Sequence, residues 1–248
     1  LLRTKKLRLC VSRYNRQVLW RDLGICVKPT LRLCAEIIGL FCAHTQNDWM
    51  RIALNARHML EDRLEGLGIV TDEVMGRMAK SHPEDQFDYY FDRKYDQRFV
   101  HSTNVTPHTK HPVTRLPILI RYWLDHPVRK DVVKQKANVF FSPDGFIPLG
   151  MGIPKVSMVH DVAYLRYPEH LQPRIRSFYK KWMPRYLAYT DHIITVSEFS
   201  KREIIAGYNI PADKISVVYN GITNAYKPVS EEQKKLTRDR YTKGRPYF

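Results

Sequence analysis

Lys155-Val156-Ser157-Met158-Val159-His160-Asp161 is followed, after a basic aromatic segment, by Ile193-Ile194-Thr195-Val196-Ser197-Glu198-Phe199-Ser200-Lys201 and then by Lys214-Ile215-Ser216-Val217-Val218-Tyr219-Asn220-Gly221-Ile222. Each stretch opens with a short apolar run and stops abruptly at a polar pair: His-Asp, Ser-Glu or Asn-Gly. Short runs rich in Val and Ile, bounded by turn residues, read as buried strands. Between the first two, Arg174 to Tyr189 has helical periodicity, with an apolar or aromatic side and a basic side, and Pro184 predicts a kink in it. Strands alternating with helices imply parallel pairing through right-handed crossovers. In an open parallel sheet the carboxyl ends of the strands form the ligand crevice, so the polar terminators are candidate site residues.

The same alternation extends backwards. Asn138 to Ser142 is a β-rich run stopped by Pro143-Asp144-Gly145, and Phe87 to Phe91 is another preceded by the turn at Pro83. Met50-Arg51-Ile52-Ala53-Leu54-Asn55 is a first strand, followed by a loop from Ala56 to Gly66. From Gly68 to Lys80 the apolar positions 70, 74, 75 and 78 share one helical face. Residues 101–117 read as loops around an edge strand at Val105, and Ile118 to Lys136 as an amphipathic helix that Pro127 breaks in two. After Ser197 a helix from Glu198 to Ala206 is expected to end near Gly207, and Ser230 to Lys243 is polar and helix-prone. The fold class is α/β, a doubly wound and mostly parallel Rossmann-like sheet.

Composition divides the chain. Cys10, Cys26, Cys34 and Cys42 all precede Trp49, at spacings that fit neither a CxxC metal site nor a compact catalytic arrangement, so no zinc, other metal or disulfide is expected. The break coincides with the Met50 strand. Residues 1–49 are expected to be an upstream extension that is translated in frame or poorly structured, and they lack the region order of a signal peptide. Residues 50–228 form the domain, and 229–248 read as a linker and the start of a further domain. The formal net charge of +16, to which nine Lys/Arg against three Asp/Glu before Met50 contribute +6, favours anionic partners. No apolar run approaches the ~18 residues of a membrane span.

The ordered pieces resemble the N-terminal, acceptor-side domain of the family 4 glycosyltransferases, which have the two-domain GT-B fold. The similar features are Met50 to Asn55, Gly66-Leu67-Gly68 leading into a helix, Phe141-Ser142-Pro143, Val159-His160-Asp161, Thr195 to Lys201 and Val218 to Ile222. The resemblance covers Met50 to Pro228. It implies one half of a retaining glycosyltransferase, moving a sugar from a nucleotide-sugar donor to a hydroxyl of a glycan or lipid-linked acceptor. It requires no cofactor beyond that donor as co-substrate, and it implies a donor-binding second domain after Phe248, without which the chain is expected to be inactive. A cytoplasmic location follows, with peripheral contact at the inner face of the plasma membrane.

The resemblance assigns a functional histidine to His160 and makes Asp161, Ser197, Asn220 and Gly66, Leu67 and Gly68 candidates for substrate binding. Each has a plainer reading. His160 ends a strand, where histidines are commonly hydrogen-bonded structural residues. Ser197 is a good helix N-cap, with Ser200 and Glu203 as an alternative capping box. Asn220-Gly221 is turn chemistry. Gly66-Leu67-Gly68 is not a GxGxxG, and Ile69-Val70 stand where the family often has an aromatic residue. The segment Arg174 to Tyr186 mixes five cations with four aromatics, which suits an anionic membrane surface or a core-facing helix with a solvated basic side. Rival functions are a sugar-nucleotide epimerase of the same fold, a non-catalytic fragment or anion-binding module, and a nucleic-acid binder, for which no motif is present.

Overall fold

The computed structural model describes residues 49–62, 64–221 and 227–246. The four cysteines and the proposed extension before Trp49 lie outside the described residues, as does Ile222. Seven strands form one sheet: β1 (Arg51–Asn55), β2 (Gln86–Phe91), β3 (Val105–Thr109), β4 (Val139–Ser142), β5 (Lys155–Met158), β6 (His192–Thr195) and β7 (Ile215–Val217). Their order is β3-β2-β1-β4-β5-β6-β7, and every neighbouring pair is parallel.

The handedness of crossovers explains the layers. Helix α1 (Gly66–Ser81) follows β1 and buries Val74, Met75 and Met78 against Ile52 and Leu54. The opposite face carries Ala53, Phe140 and Ile193 under α2 (Pro117–Trp123), α3 (Arg129–Lys134), α5 (Pro173–Tyr189) and α6 (Glu198–Tyr208), with the short α4 (Ala163–Arg166) leading into α5. Right-handed connections change face when strand order reverses, and the reversal falls between β1 and β4. Both β4 and β5 are buried along their whole length, as strands covered on two faces must be.

Helix punctuation follows the expectations, with a shift at the start of α1. As expected, the segment divides at Pro127: α2 and α3 are separated by a widened π turn, Leu124–Val128, that contains the proline. Helix α6 ends near Gly207, as expected: its last residue is Tyr208, and Asn209 caps it in the left-handed conformation (φ 53°). Gly207 itself admits α4, since a Cβ there would lie 2.4 Å from Leu165 Cδ1. Helix α1 starts at Gly66, two residues before the expected Gly68. Pro184 lies inside the single helix α5, at an exposed position.

A polar network crosses the β2–β3 edge beneath α3. Arg51 donates to fully buried Asp88 at 2.5 Å, His108 meets Asp88 at 2.8 Å, and Lys110 meets Asp131 at 2.9 Å. Tyr90 stacks on His108 and donates to Asp131. The polar helix α7 (Glu231–Thr242) begins at Ser230, which caps it, and buries none of its residues.

Candidate functional site

The reversal point places the carboxyl ends of β1 and β4 side by side, and a polar constellation forms there. Asn55 ends β1, and Ala56, Arg57 and His58 follow it; Ser142 ends β4, and the turn Pro143-Asp144-Gly145 follows, with Gly145 at φ +79°. Asp144 is the hub. Its side chain is only 3% exposed, and its carboxylate accepts hydrogen bonds from Arg57 Nε (2.7 Å), Asn55 Nδ2 (3.1 Å), Ser142 Oγ (2.7 Å) and the Phe146 amide (3.1 Å), with His58 Nε2 at 3.0 Å. Burial by itself would raise this carboxyl. The Arg57 charge, His58 and Ser142 together outweigh that and hold it well below the usual carboxylate range. Asp144 is therefore a fixed anion that orients Arg57 and His58, and its lone pairs are occupied.

His160 follows β5, the next strand along. Its Nε2 lies 3.2 Å from the Pro143 carbonyl oxygen. A carbonyl only accepts, so Nε2 carries the proton and Nδ1 keeps its lone pair. Burial lowers its basicity below the ordinary histidine value, against the opposing pull of the Pro143 carbonyl, Asp161 and Asp144, so the ring is neutral at pH 7. Its backbone is tied to the next crossover: Ser197 Oγ donates to Ser200 Oγ, and Ser200 Oγ donates to the His160 carbonyl, each at 3.0 Å. Thr195 Oγ1 does the same for Val159 at 2.7 Å.

The other sequence candidates divide. Ser197 caps α6 by accepting from the Ser200 amide and stands behind His160 through the relay above. The alternative capping box is not formed, because Glu203 pairs with Arg166. Asp161 is exposed and accepts from the Ala163 amide, opening α4. Gly68 faces the crevice loop: a Cβ there would lie 2.5 Å from the His58 carbonyl oxygen and 2.9 Å from Leu64 Cδ2. Gly66 has open space around it, and the Leu67 carbonyl accepts from Thr71 Oγ1. Asn220 is exposed beyond β7, the strand at the far edge of the sheet from β3, three strand positions from β4. The structure thus brings His160, Asp161, Ser197 and Gly68 towards the β1–β4–β5 end, and leaves Asn220 apart.

Sequence reasoning passed over Asn55, Arg57, His58, Ser142 and Asp144 as site residues. Ser142 and Asp144 were visible as the end and stop of a strand, and Asn55 as the end of another. Their joint role depends on contacts 86 to 89 residues apart in the chain.

From Arg174 to Tyr186, helix α5 turns its aromatics inward and its cations outward. Phe178 and Tyr186 are buried and Tyr179 and Trp182 half-buried, whereas Arg174, Arg176, Lys180, Lys181 and Arg185 are exposed. The Trp182 ring receives Arg121 at 3.9 Å and Arg185 at 4.8 Å. Elsewhere, His82, Glu84 and Asp85 place potential metal-ligand atoms within 4.8 Å of one another, but in the turn before β2, at the opposite end of the sheet, where Asp85 already accepts from the Met50 amide.

Residues 68–225, more than half of the 248, match Glycosyltransferase Family 4. The O-antigen chain mannosyltransferase B of Escherichia coli is 32% identical over 120 residues, covering 47% of this chain and 31% of that protein. Among solved structures, a lipopolysaccharide outer core galactosyltransferase in its apo form is 16% identical, with a TM-score of 0.47, over 71% of this chain and 46% of that one. HepE of Anabaena, crystallised in complex with UDP and glucose, is 17% identical, with a TM-score of 0.47, over 77% of this chain and 50% of that one. The alignments span about a third to a half of the length of these relatives.

Proposed function

This chain belongs to glycosyltransferase family 4, and on that premise we propose that it supplies the acceptor-side wall of a retaining, nucleotide-sugar-dependent glycosyltransferase of GT-B architecture. The observation that carries the reading is the Asp144-centred constellation beside His160 at the point where strand order reverses. In the proposed reaction the bond between the donor's anomeric carbon and its phosphate oxygen breaks. A bond forms from that carbon to the acceptor oxygen, and the acceptor hydroxyl gives up its proton as the nucleoside diphosphate departs.

The residues have distinct parts in this scheme. Neutral His160, anchored through Nε2–H, offers Nδ1 to a sugar hydroxyl and so positions it or stabilises its developing charge. Asp144, saturated with donors, is not the base; it keeps Arg57 and His58 in place. Gly68 lets the first turn of α1 close on the His58 loop, and Gly66 leaves backbone N–H groups approachable from the crevice. The nucleotide belongs to a donor-binding domain, and the acceptor is a glycan or lipid-linked hydroxyl. Outward-facing cations on α5 support a peripheral approach to an anionic membrane from the cytoplasmic side.

The test uses the full-length enzyme with its donor-binding domain. His160→Ala should lower kcat by about 100-fold or more, the scale of a lost proton-handling group, with the folded state unchanged by circular dichroism. Unchanged turnover would remove His160 from the mechanism. The anomeric configuration of the product, read by NMR, decides retention.

A further inference from the structure

Outside the crevice, a groove of about 1020 Å³ opens between α4, the first half of α5 and the end of α6. Its apolar walls include Leu165, Pro168, Leu171 and Pro173, and its side toward the crevice is a tyrosine cluster. Tyr164 and Tyr208 meet hydroxyl to hydroxyl at 2.7 Å, and Tyr164 packs on Tyr179 with ring centroids 4.6 Å apart. Tyr179 meets Phe146 edge-on at 5.7 Å, and Arg57 lies over the other side of the chain of contacts, 5.5 Å from the Phe146 centroid. Between the groove and Arg57 of the crevice stand two aromatic rings in series, Tyr179 and then Phe146.

The rim of the groove is cationic. Arg176 and Lys180 line it, are exposed and form no ion pair with any described residue, and α5 contains no acidic residue. An apolar channel with unpaired cations at its edge complements an amphiphile whose hydrocarbon chain ends in a phosphate.

We propose that this groove binds the hydrocarbon chain of a lipid-phosphate-linked acceptor, with Arg176 and Lys180 on its phosphate, so that the glycan end reaches the neighbouring crevice. This rests on the glycosyltransferase reading and adds to it the place where the lipid of the acceptor is held. The apolar walls favour a single hydrocarbon chain held in the groove.

The probe is a monomeric alkyl phosphate, titrated below its micelle concentration into the full chain by calorimetry. Dodecyl phosphate should bind about two hundredfold more tightly than octyl phosphate, from about fourfold per added methylene. Inorganic phosphate and dodecanol should each bind at least tenfold more weakly than dodecyl phosphate. Arg176→Ala with Lys180→Ala should cost about tenfold or more, and Ala206→Glu, at an exposed lining position outside the core, should abolish the chain-length dependence. Absence of dodecyl phosphate binding, or binding indifferent to both variants, overturns the groove assignment. So does binding only to phosphatidylglycerol vesicles that Ala206→Glu leaves intact, which would indicate a surface contact through α5. Because the readout is binding, its failure is independent of the His160 turnover test, which addresses transfer itself.

Discussion

Asp144 shows how one side chain can organise a site without performing its chemistry. Its ionised state is held by Arg57, whose own side chain is 9% exposed, so removing the anion strands a mostly buried cation. Asp144→Asn should destabilise the fold by about 3–5 kcal/mol in urea unfolding at pH 7. Because the folded carboxyl is depressed, its stabilisation is complete above the unfolded value near 3.8 and is lost as pH falls below it, so wild type and variant should converge in acid. His192 carries a second pH dependence. Burial, reinforced by Lys201 and Lys214, pushes it down to about 4 from 6.5, and its Nε2 lies 2.9 Å from Ser216 Oγ. Between those values the unfolded chain binds a proton that the folded protein refuses, so stability falls with falling pH. His192→Asn should reduce the loss between pH 7 and pH 5 by about 2 kcal/mol, measured as the change in unfolding free energy. An equal loss in the variant would exclude His192 as the source.

Among elements, the start of α1 separates two glycines that look equivalent in sequence. A methyl group on the Gly66 Cα would have no atom within 4 Å, while the same group on Gly68 would meet the His58 backbone carbonyl at 2.5 Å, which cannot rotate away. Gly66→Ala should be neutral or stabilising by up to about 1 kcal/mol, since it restricts the unfolded chain. Gly68→Ala should cost about 1–3 kcal/mol by overpacking and should weaken the site as well, because the displaced loop carries Arg57 and His58. Equal melting temperatures for the two variants would contradict the close packing. The same contrast explains why α6 runs past its glycine. A glycine signals a stop only if the chain needs its conformational freedom, and Gly207 is needed for its missing side chain, while Asn209 adopts the left-handed conformation.

Across the whole molecule, stability should be graded. The central strands β1, β4 and β5 are buried and paired on both sides, whereas α7 buries none of its residues and has only 12 of them, a length at which an isolated helix is marginal. Hydrogen exchange should therefore show fast amides over Glu231–Thr242 and slow, cooperative exchange in β1, β4 and β5. Slow exchange in α7 at the level of the central strands would show that it packs as part of the domain core.

Much of this architecture was readable from the chain alone, because strand and helix identity depend on local periodicity. The apolar runs at Ile52, Phe140, Val156, Ile193 and Ile215 mark strands wherever they are placed, and their alternation with helices implies a parallel, doubly wound sheet. His160 and Ser197 were visible as strand terminators for the same reason. Tertiary structure alone decided where the chain reverses its order, and hence which terminators share a crevice. The Asp144 hub joins residues more than eighty positions apart, and no local pattern encodes a contact of that separation. It also decided that Ser197 braces His160 through Ser200 and that Asn220 stands at the far edge, since those relations are set by the order of strands in space.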